Sequence, residues 1–232
     1  MPTAFRTLLN PDAGDTDPYF SSVSLLLHMD GANGSTTFTD SSSNAFTMTA
    51  AGNAQISTTQ SKFGGASGYF DGNGDTVTAS ANAAFAFGTG DFTIEGWFYS
   101  LTSGTSQRGM VDSRTVAIGT NGLMLRENNG GFLVYLNNAT ILSTTTGRVA
   151  NQWQHLALVR SGTTLTLYVD GVSKATATVS TNLTDNRFRL SGFVDTQATP
   201  YAYNGYIDDL RITKFARYLA NFTPPTAAFP DS

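Results

Sequence analysis

The chain of 232 residues contains no cysteine, which excludes disulfides, thiolate zinc sites and cysteine nucleophiles together. Lysine occurs three times and glutamate twice, charged residues make up 13% of the whole, and the net charge is −4. Nothing forms a basic stripe, so nucleic-acid binding has no electrostatic footprint. Apolar runs such as SLLLHM are far too short to span a bilayer, and no membrane insertion is expected. The opening MPTAFRTLLN has neither a basic segment nor a sustained apolar one. A cleaved signal peptide is therefore not expected, and synthesis in a cytoplasm is. The glycosylation triplets at Asn33, Asn138, Asn182 and Asn221 then read as coincidence in a chain rich in Asn and Thr.

What is present is short alternation punctuated by turns. In VSLLLHMD, Val23, Leu25, Leu27 and Met29 fall on one face. DFTIEGWFY sets Phe92, Ile94, Gly96 and Phe98 against Thr93, Glu95, Trp97 and Tyr99. LTLYVDG repeats the pattern with Leu165, Leu167 and Val169 and closes on an Asp-Gly turn. WQHLALVR is apolar on both faces for part of its length, as suits a strand crossing the middle of a sandwich. Further strands are expected near 67–71, 75–79, 109–112, 115–119, 122–126, 132–136, 140–143, 173–179, 187–192 and 205–213. NAAFAF and TKFARYLANF each have room for one helical turn, and no solenoid or propeller repeat is visible. Turn signals such as DGANG, GNGD, ENNGG and VDGVS recur at roughly eight- to twelve-residue spacing, which predicts an all-β fold, an antiparallel β-sandwich or barrel. The expected organisation is an arm over 1–20, one domain over 21–216 and an extended, proline-rich tail over 217–232.

The segments LLLHMDG, GGASGYFDGNGDTVT, FTIEGWFY, WQHLALVRSGTTLTLYVDGVSKAT and YNGYIDDLRI, in that order, resemble the laminin-G-like jelly rolls of the concanavalin A-like lectin and glucanase superfamily. The likeness runs from about Val23 to Thr213. It implies two curved antiparallel sheets, the concave one often presenting a binding surface. The opening FRTLL…DPYFSSVSLLLHMDGANGSTTFTDSS is in addition similar to tailed-phage virion proteins. That likeness implies a virion component made in the host cytoplasm, joined to other virion proteins through its arm and compatible with a homo-oligomer.

Asp208 and Asp209 adjoin within a run that reads as a buried strand. Alternation sends them to opposite faces, so one should share the face of Leu210 and Ile212, where an unpaired charge is costly. Many members of the superfamily hold a structural calcium ion. The resemblance puts its ligands at Asp208, at Asp30 in HMDG and at Asp71 in FDGNGD, tying the N-terminal strand to the C-terminal one. Calcium takes roughly six to eight oxygens, several of them backbone carbonyls. Beside this stands a plainer reading, in which Asp208 accepts backbone amides and Asp209 pairs with Arg211. DGNGD also copies the start of an EF-hand loop, but Thr76 stands where Gly is needed and Asn82 where the bidentate Glu belongs.

Glycosidases of this fold set two carboxylates on one strand face through an E-x-D-x-x-E or E-x-D-x-E motif, and neither Glu95 nor Glu127 stands in one. His28 and His155 lie within strands, where a lone histidine is more often packed than a base. No nucleophile-elbow, metalloprotease or phosphate-cradling motif occurs. Catalysis is not expected. Adhesion by surface complementarity is expected, and glycan attachment, as an added function, would stack sugar rings on aromatic side chains. Trp97, Tyr99, Tyr135, Tyr201 and Tyr203 are the candidates, each with ordinary sheet packing as its plainer reading. Phe5, Leu8, Leu9, Tyr19 and Phe20 would anchor the arm on a virion partner. The expectation is a non-enzymatic phage virion structural or adhesion protein, such as a capsid decoration, head fibre or tail component. It would display a lectin-like jelly roll to host-surface glycans. A stand-alone carbohydrate-binding module and a glycoside hydrolase of the same fold are the alternatives.

Overall fold

The computed structural model describes residues 16–103, 107–116, 120–137, 139–193 and 201–232. Its strands in chain order are β1 (Val23–Leu27), β2 (Met48–Ala51), β3 (Gln55–Ser57), β4 (Ser67–Asp71), β5 (Thr76–Ala79), β6 (Phe92–Ser100), β7 (Arg108–Asp112) and β8 (Leu123–Asn128). They continue with β9 (Gly131–Leu136), β10 (Ala139–Ser143), β11 (Trp153–Ser161), β12 (Thr164–Val169), β13 (Val172–Thr178), β14 (Phe188–Leu190) and β15 (Asn204–Thr213). The first sheet has eight strands in the order β13-β12-β11-β6-β15-β4-β3, with β1 also paired to β15. The second has seven, in the order β10-β9-β8-β7-β14-β5-β2. All these strand pairings are antiparallel, and the two sheets form the expected sandwich.

Alternation explains how the layers close. Phe92, Ile94 and Phe98 of β6, Leu156 and Leu158 of β11, and Ile207, Leu210 and Ile212 of β15 meet Val111, Leu125, Val134 and Leu190 of the second sheet in one continuous core. Each such side chain stabilises the fold by about 1.5–3 kcal/mol when fully buried. Leu26, on the opposite face of β1, is buried as well, because Phe229 of the C-terminal segment covers it.

The structure departs from the sequence expectation in a few elements. β2 and β3 are short and half polar, and alternation does not reveal them. Thr115 and Val116 lie in a bend, not a strand, and 117–119 lie outside the described residues. Ala83–Phe85 forms the expected helical turn, of 3-10 type, with the Asn82 side chain accepting from the Ala84 amide. Residues 214–223 form bends and no helix.

β15 is the organising strand. Its first half, Asn204–Ile207, pairs with β4, and its second half, from Leu210 on, pairs with β1. Between them the register against β6 slips, from Asp208 opposite Trp97 to Arg211 opposite Glu95, so that two residues face Gly96. Asp209 occupies this bulge with φ of 47°, a left-handed conformation that Asp tolerates better than most residues. The bulge corrects the simple alternation argument, since each aspartate finds hydrogen-bond donors instead of facing only leucines. Gly96 is required opposite it, as a Cβ there would sit 3.1 Å from Leu210 Cα.

The C-terminal residues fold back over the outer face of the first sheet. Tyr218 stacks on Phe222 with centroids 3.6 Å apart, and Phe222 packs edge-on against Tyr168 and His155. The chain then runs on to Phe229, whose amide donates to Asp209 at 2.8 Å, and to Ser232, whose carbonyl accepts from Asp17 at 2.6 Å. The proline-rich tail is therefore a strap on its own domain.

Candidate functional site

On the outer face of the first sheet, four aromatic side chains fall in one row across four neighbouring strands. Tyr69 of β4 is opposite Tyr206 of β15, Tyr206 is opposite Tyr99 of β6, and Tyr99 is opposite Trp153 of β11. The ring centroids are 5.0, 5.8 and 5.5 Å apart in turn. This spacing follows from the strand separation of roughly 4.8 Å, which puts the ends of the row roughly 14 Å apart. Tyr69, Tyr99 and Trp153 are half-buried, while Tyr206 is 8% exposed. Burial raises the phenol pKa values of Tyr69 and Tyr206, so both stay neutral hydroxyls.

Polar groups border the row. Asn204 and Asp71 face each other across the β15–β4 pairing, two residues along from Tyr206 and Tyr69, and Gln55 lies opposite Tyr69 in β3. Gly205 lets β15 approach this closely, because a Cβ there would collide with the Tyr99 carbonyl. At the other end, Leu101 and Val149 are exposed apolar side chains. A surface of ring faces with amide and carboxylate neighbours suits a ligand with apolar faces and hydroxyl edges.

Only Tyr99 among the glycan candidates lies in this row; the fold covers Trp97 and Tyr203 and places Tyr135 and Tyr201 elsewhere. Trp97 is 6% exposed, capped by the edge of Phe63 at 6.0 Å and by Lys62, whose ammonium lies 3.9 Å from the ring centroid. Tyr203 is fully buried in the core against Phe70 and Phe98. Tyr201 stacks on Phe193, and Tyr135 lies beside Arg126 on the second sheet. Tyr69, Tyr206 and Trp153 were missed. Their outward positions were legible, but the register that aligns them was not.

The calcium ligand set is also corrected. Asp71 is engaged with Asn53 and the Asn73 amide, and its neighbour is Asp75. Asp30 and Asp208 do lie near one another, and no group of three His, Cys, Asp or Glu suited to a metal occurs among the described residues. Asp208 Oδ2 accepts the amides of Lys62 and Phe63 at 2.6 and 3.0 Å, holding the 58–66 loop over Trp97. Its Oδ1 is buried without a hydrogen-bond partner. Burial pushes the Asp208 carboxyl up to about 7; the two amides oppose the rise, while Asp209 and Asp30 add to it. That orphaned oxygen beside a second carboxylate fits a cation, whereas Asp71 does not.

Asp209 does not pair with Arg211. It accepts His28 Nδ1 at 2.7 Å, and His28 Nε2 reaches Asp231 of the strap at 2.7 Å. Burial disfavours the imidazolium, yet hydrogen bonds to the two carboxylates outweigh it and raise His28 to about 9. Arg211 instead bonds Glu95 at 2.8 Å and Asp17 at 3.1 Å, and Arg217 reaches Asp17 at 2.5 Å. Tyr218 donates to the second Glu95 oxygen at 2.7 Å. Burial alone would raise the Glu95 carboxyl, but Arg211, His155 and Arg217 hold it well below the usual range. Glu95 is thus a buried tie between sheet, strap and arm.

Of the arm anchors, Phe5, Leu8 and Leu9 lie outside the described residues. Tyr19 stacks on Phe215 with centroids 4.1 Å apart, and Phe20 packs on Val23, Leu26 and Phe229. Both are committed to their own domain.

The sequence profile of the concanavalin A-like lectin/glucanases superfamily matches residues 71–220. The chain belongs to this superfamily. No curated protein matches its sequence. Among solved structures, this superfamily member resembles the receptor-binding domain of botulinum neurotoxin D, with 16% identity and a TM-score of 0.66 over 88% of this chain and 51% of that one. It also resembles botulinum neurotoxin type C, described as dependent on two ganglioside molecules for entering cells (13% identity, TM-score 0.60, 85% of this chain and 49% of that one). A mutant sialidase of Trypanosoma rangeli matches with 13% identity and a TM-score of 0.62, over 84% of this chain and 31% of that one. The chain spans about half the length of the toxin chains, and at these identities the likeness shows the shared fold.

Proposed function

We propose that this protein is a non-catalytic adhesion module whose row of Tyr69, Tyr206, Tyr99 and Trp153 binds a short glycan, carried on a tailed-phage particle. The row is the observation that carries this reading. Four rings in a single register offer stacking faces, and Asn204, Asp71 and Gln55 beside them offer hydrogen bonds to sugar hydroxyls. The ganglioside dependence of a toxin of the same fold supports the substrate class. Non-catalysis is supported by Glu95 and Glu127, both 1% exposed and both tied to arginines. The virion setting rests on the likeness of the first fifty residues to phage proteins. Asp17, where the arm joins the body, sits against Arg211, five positions along β15 from Tyr206. Weak binding at each copy would be multiplied by display on one particle. A structural calcium ion held by Asp208 Oδ1 and Asp30 belongs to the same proposal and would neutralise their mutual repulsion.

The deciding experiment is a glycan array followed by titration of the best ligand, read by tryptophan fluorescence. Trp153→Ala and Tyr99→Ala should each weaken binding roughly three- to tenfold while leaving the fold intact. Unchanged affinity in both variants would remove the row from function.

A further inference from the structure

The outer face of the second sheet carries a cleft separate from the aromatic row. Its cavity of about 320 Å3 is lined by Thr78, Ala79, Ser80, Arg114, Arg187 and Arg189. The strand pattern explains the arginines. Phe188 and Leu190 of β14 turn into the core, so Arg189 turns out, between Thr78 of β5 and Asp112 of β7. Arg114 is 4% exposed and fixed in a fork on Asp112, with Nε and Nη2 at 2.9 and 2.8 Å. Among the described residues, no carboxylate lines the cavity. The nearby Asp185 is turned to the amide and hydroxyl of Thr115, at 2.8 and 3.1 Å. Arg126 lies on the same face, close enough to Arg114 for the two charges to oppose each other, and its buried Nε has no hydrogen-bond partner. Among the described residues, four arginines thus gather near two aspartates, in a chain whose net charge is −4.

We propose that this cleft binds a small anion bearing a carboxylate, sulfate or phosphate group. Guanidinium groups present forked N–H donors that match the oxygens of such anions, and Arg114 is already held rigid by Asp112. The hydroxyls of Thr78 and Ser80 lie ready for the rest of the ligand, and the cavity has the size of a small-ligand site. An anion complements the guanidinium groups that line the cavity, which a neutral molecule of the same shape does not. The site is independent of the aromatic row, so either can fail without the other.

Isothermal titration of the full chain with glucuronate, glucose 6-phosphate, sodium sulfate and neutral glucose tests it. At least one anion should bind, glucose should not, and raised salt should weaken the binding. Arg187→Gln and Arg189→Gln should each reduce affinity by about tenfold, the loss of one charge-assisted contact. Arg187 is exposed, so its variant folds, and circular dichroism checks both. Which anions bind identifies the group recognised. Binding of no anion, binding of glucose as strongly as glucuronate, or unchanged affinity in both folded variants overturns the proposal.

Discussion

Asp208 and Asp209 adjoin in sequence and hold different parts of the molecule. One anchors the 58–66 loop through two amides, and the other anchors β1 and the strap through His28 and the Phe229 amide. Their cost differs too. The folded state binds a proton at Asp208 more tightly than the unfolded chain does, since its carboxyl is raised from 3.8 to about 7. The ionised group therefore destabilises the fold increasingly as pH rises from about 4 to 7, by up to about 4 kcal/mol above that window. Asp208→Asn keeps an acceptor for the Lys62 and Phe63 amides and removes the charge. In chelator at pH 8 it should raise stability by about 1–3 kcal/mol, and at pH 4 it should change little. Calcium should raise the melting temperature of the natural protein and leave the variant unmoved. Thermal denaturation at the two pH values decides, and a variant less stable at pH 8 contradicts the account.

At the scale of elements, the bulge in β15 sets which residues face each other. Without it, Arg211 would not come opposite Glu95, and the buried network of Glu95, Arg211, Arg217 and Asp17 could not close. Gly96 is the sequence feature that permits it, because the obstruction to a Cβ is the backbone of Leu210 rather than a mobile side chain. Gly96→Ala should destabilise by about 1–3 kcal/mol through overpacking, measured by urea denaturation. A neutral result would mean that the bulge is free to shift. The alternating strands were legible from residue type alone. The aromatic row was not, because Tyr69, Tyr206 and Trp153 occupy distant segments whose alignment depends on strand register. Trp97 misled for a related reason: its outward direction was read correctly, but the loop that covers it is fixed by Asp208, 111 positions away.

At the scale of the whole molecule, arm and strap meet on the first sheet, and charge ties them there. If the arm joins particles as proposed, deleting residues 1–15 should abolish incorporation into them. Deleting 1–20 should also cost about 3–5 kcal/mol, because Arg211 and Arg217 lose Asp17 in a buried setting. Particle composition by mass spectrometry and calorimetry of the two truncations separate these effects. Stability should also fall at both ends of the pH scale. Glu95 and Asp17 are held below their ordinary values, so their contribution is present above about pH 4.5 and is lost as pH falls through the folded values. His28, raised to about 9, contributes fully below about pH 6.5 and loses that contribution as pH rises through 9. Chemical denaturation of the Asp208→Asn variant between pH 3 and 10 should therefore give a plateau between about pH 4.5 and 6.5, and adding His28→Ala should remove the alkaline decline.

Composition and alternation by themselves determined the layered all-β body, its antiparallel hairpins and the absence of disulfides. These follow from which side chains avoid water and which residues turn the chain, both of them local properties. Only the tertiary structure decided that Tyr69, Tyr206, Tyr99 and Trp153 form one row, that Trp97 and Tyr203 are covered, and that the arginines of β14 and the β7 end share a cleft. Those outcomes depend on register, on a single bulge and on a returning strap. A shift of one residue in pairing turns every side chain of a strand to the opposite face, so a site assembled from five segments is fixed only when all of them are paired.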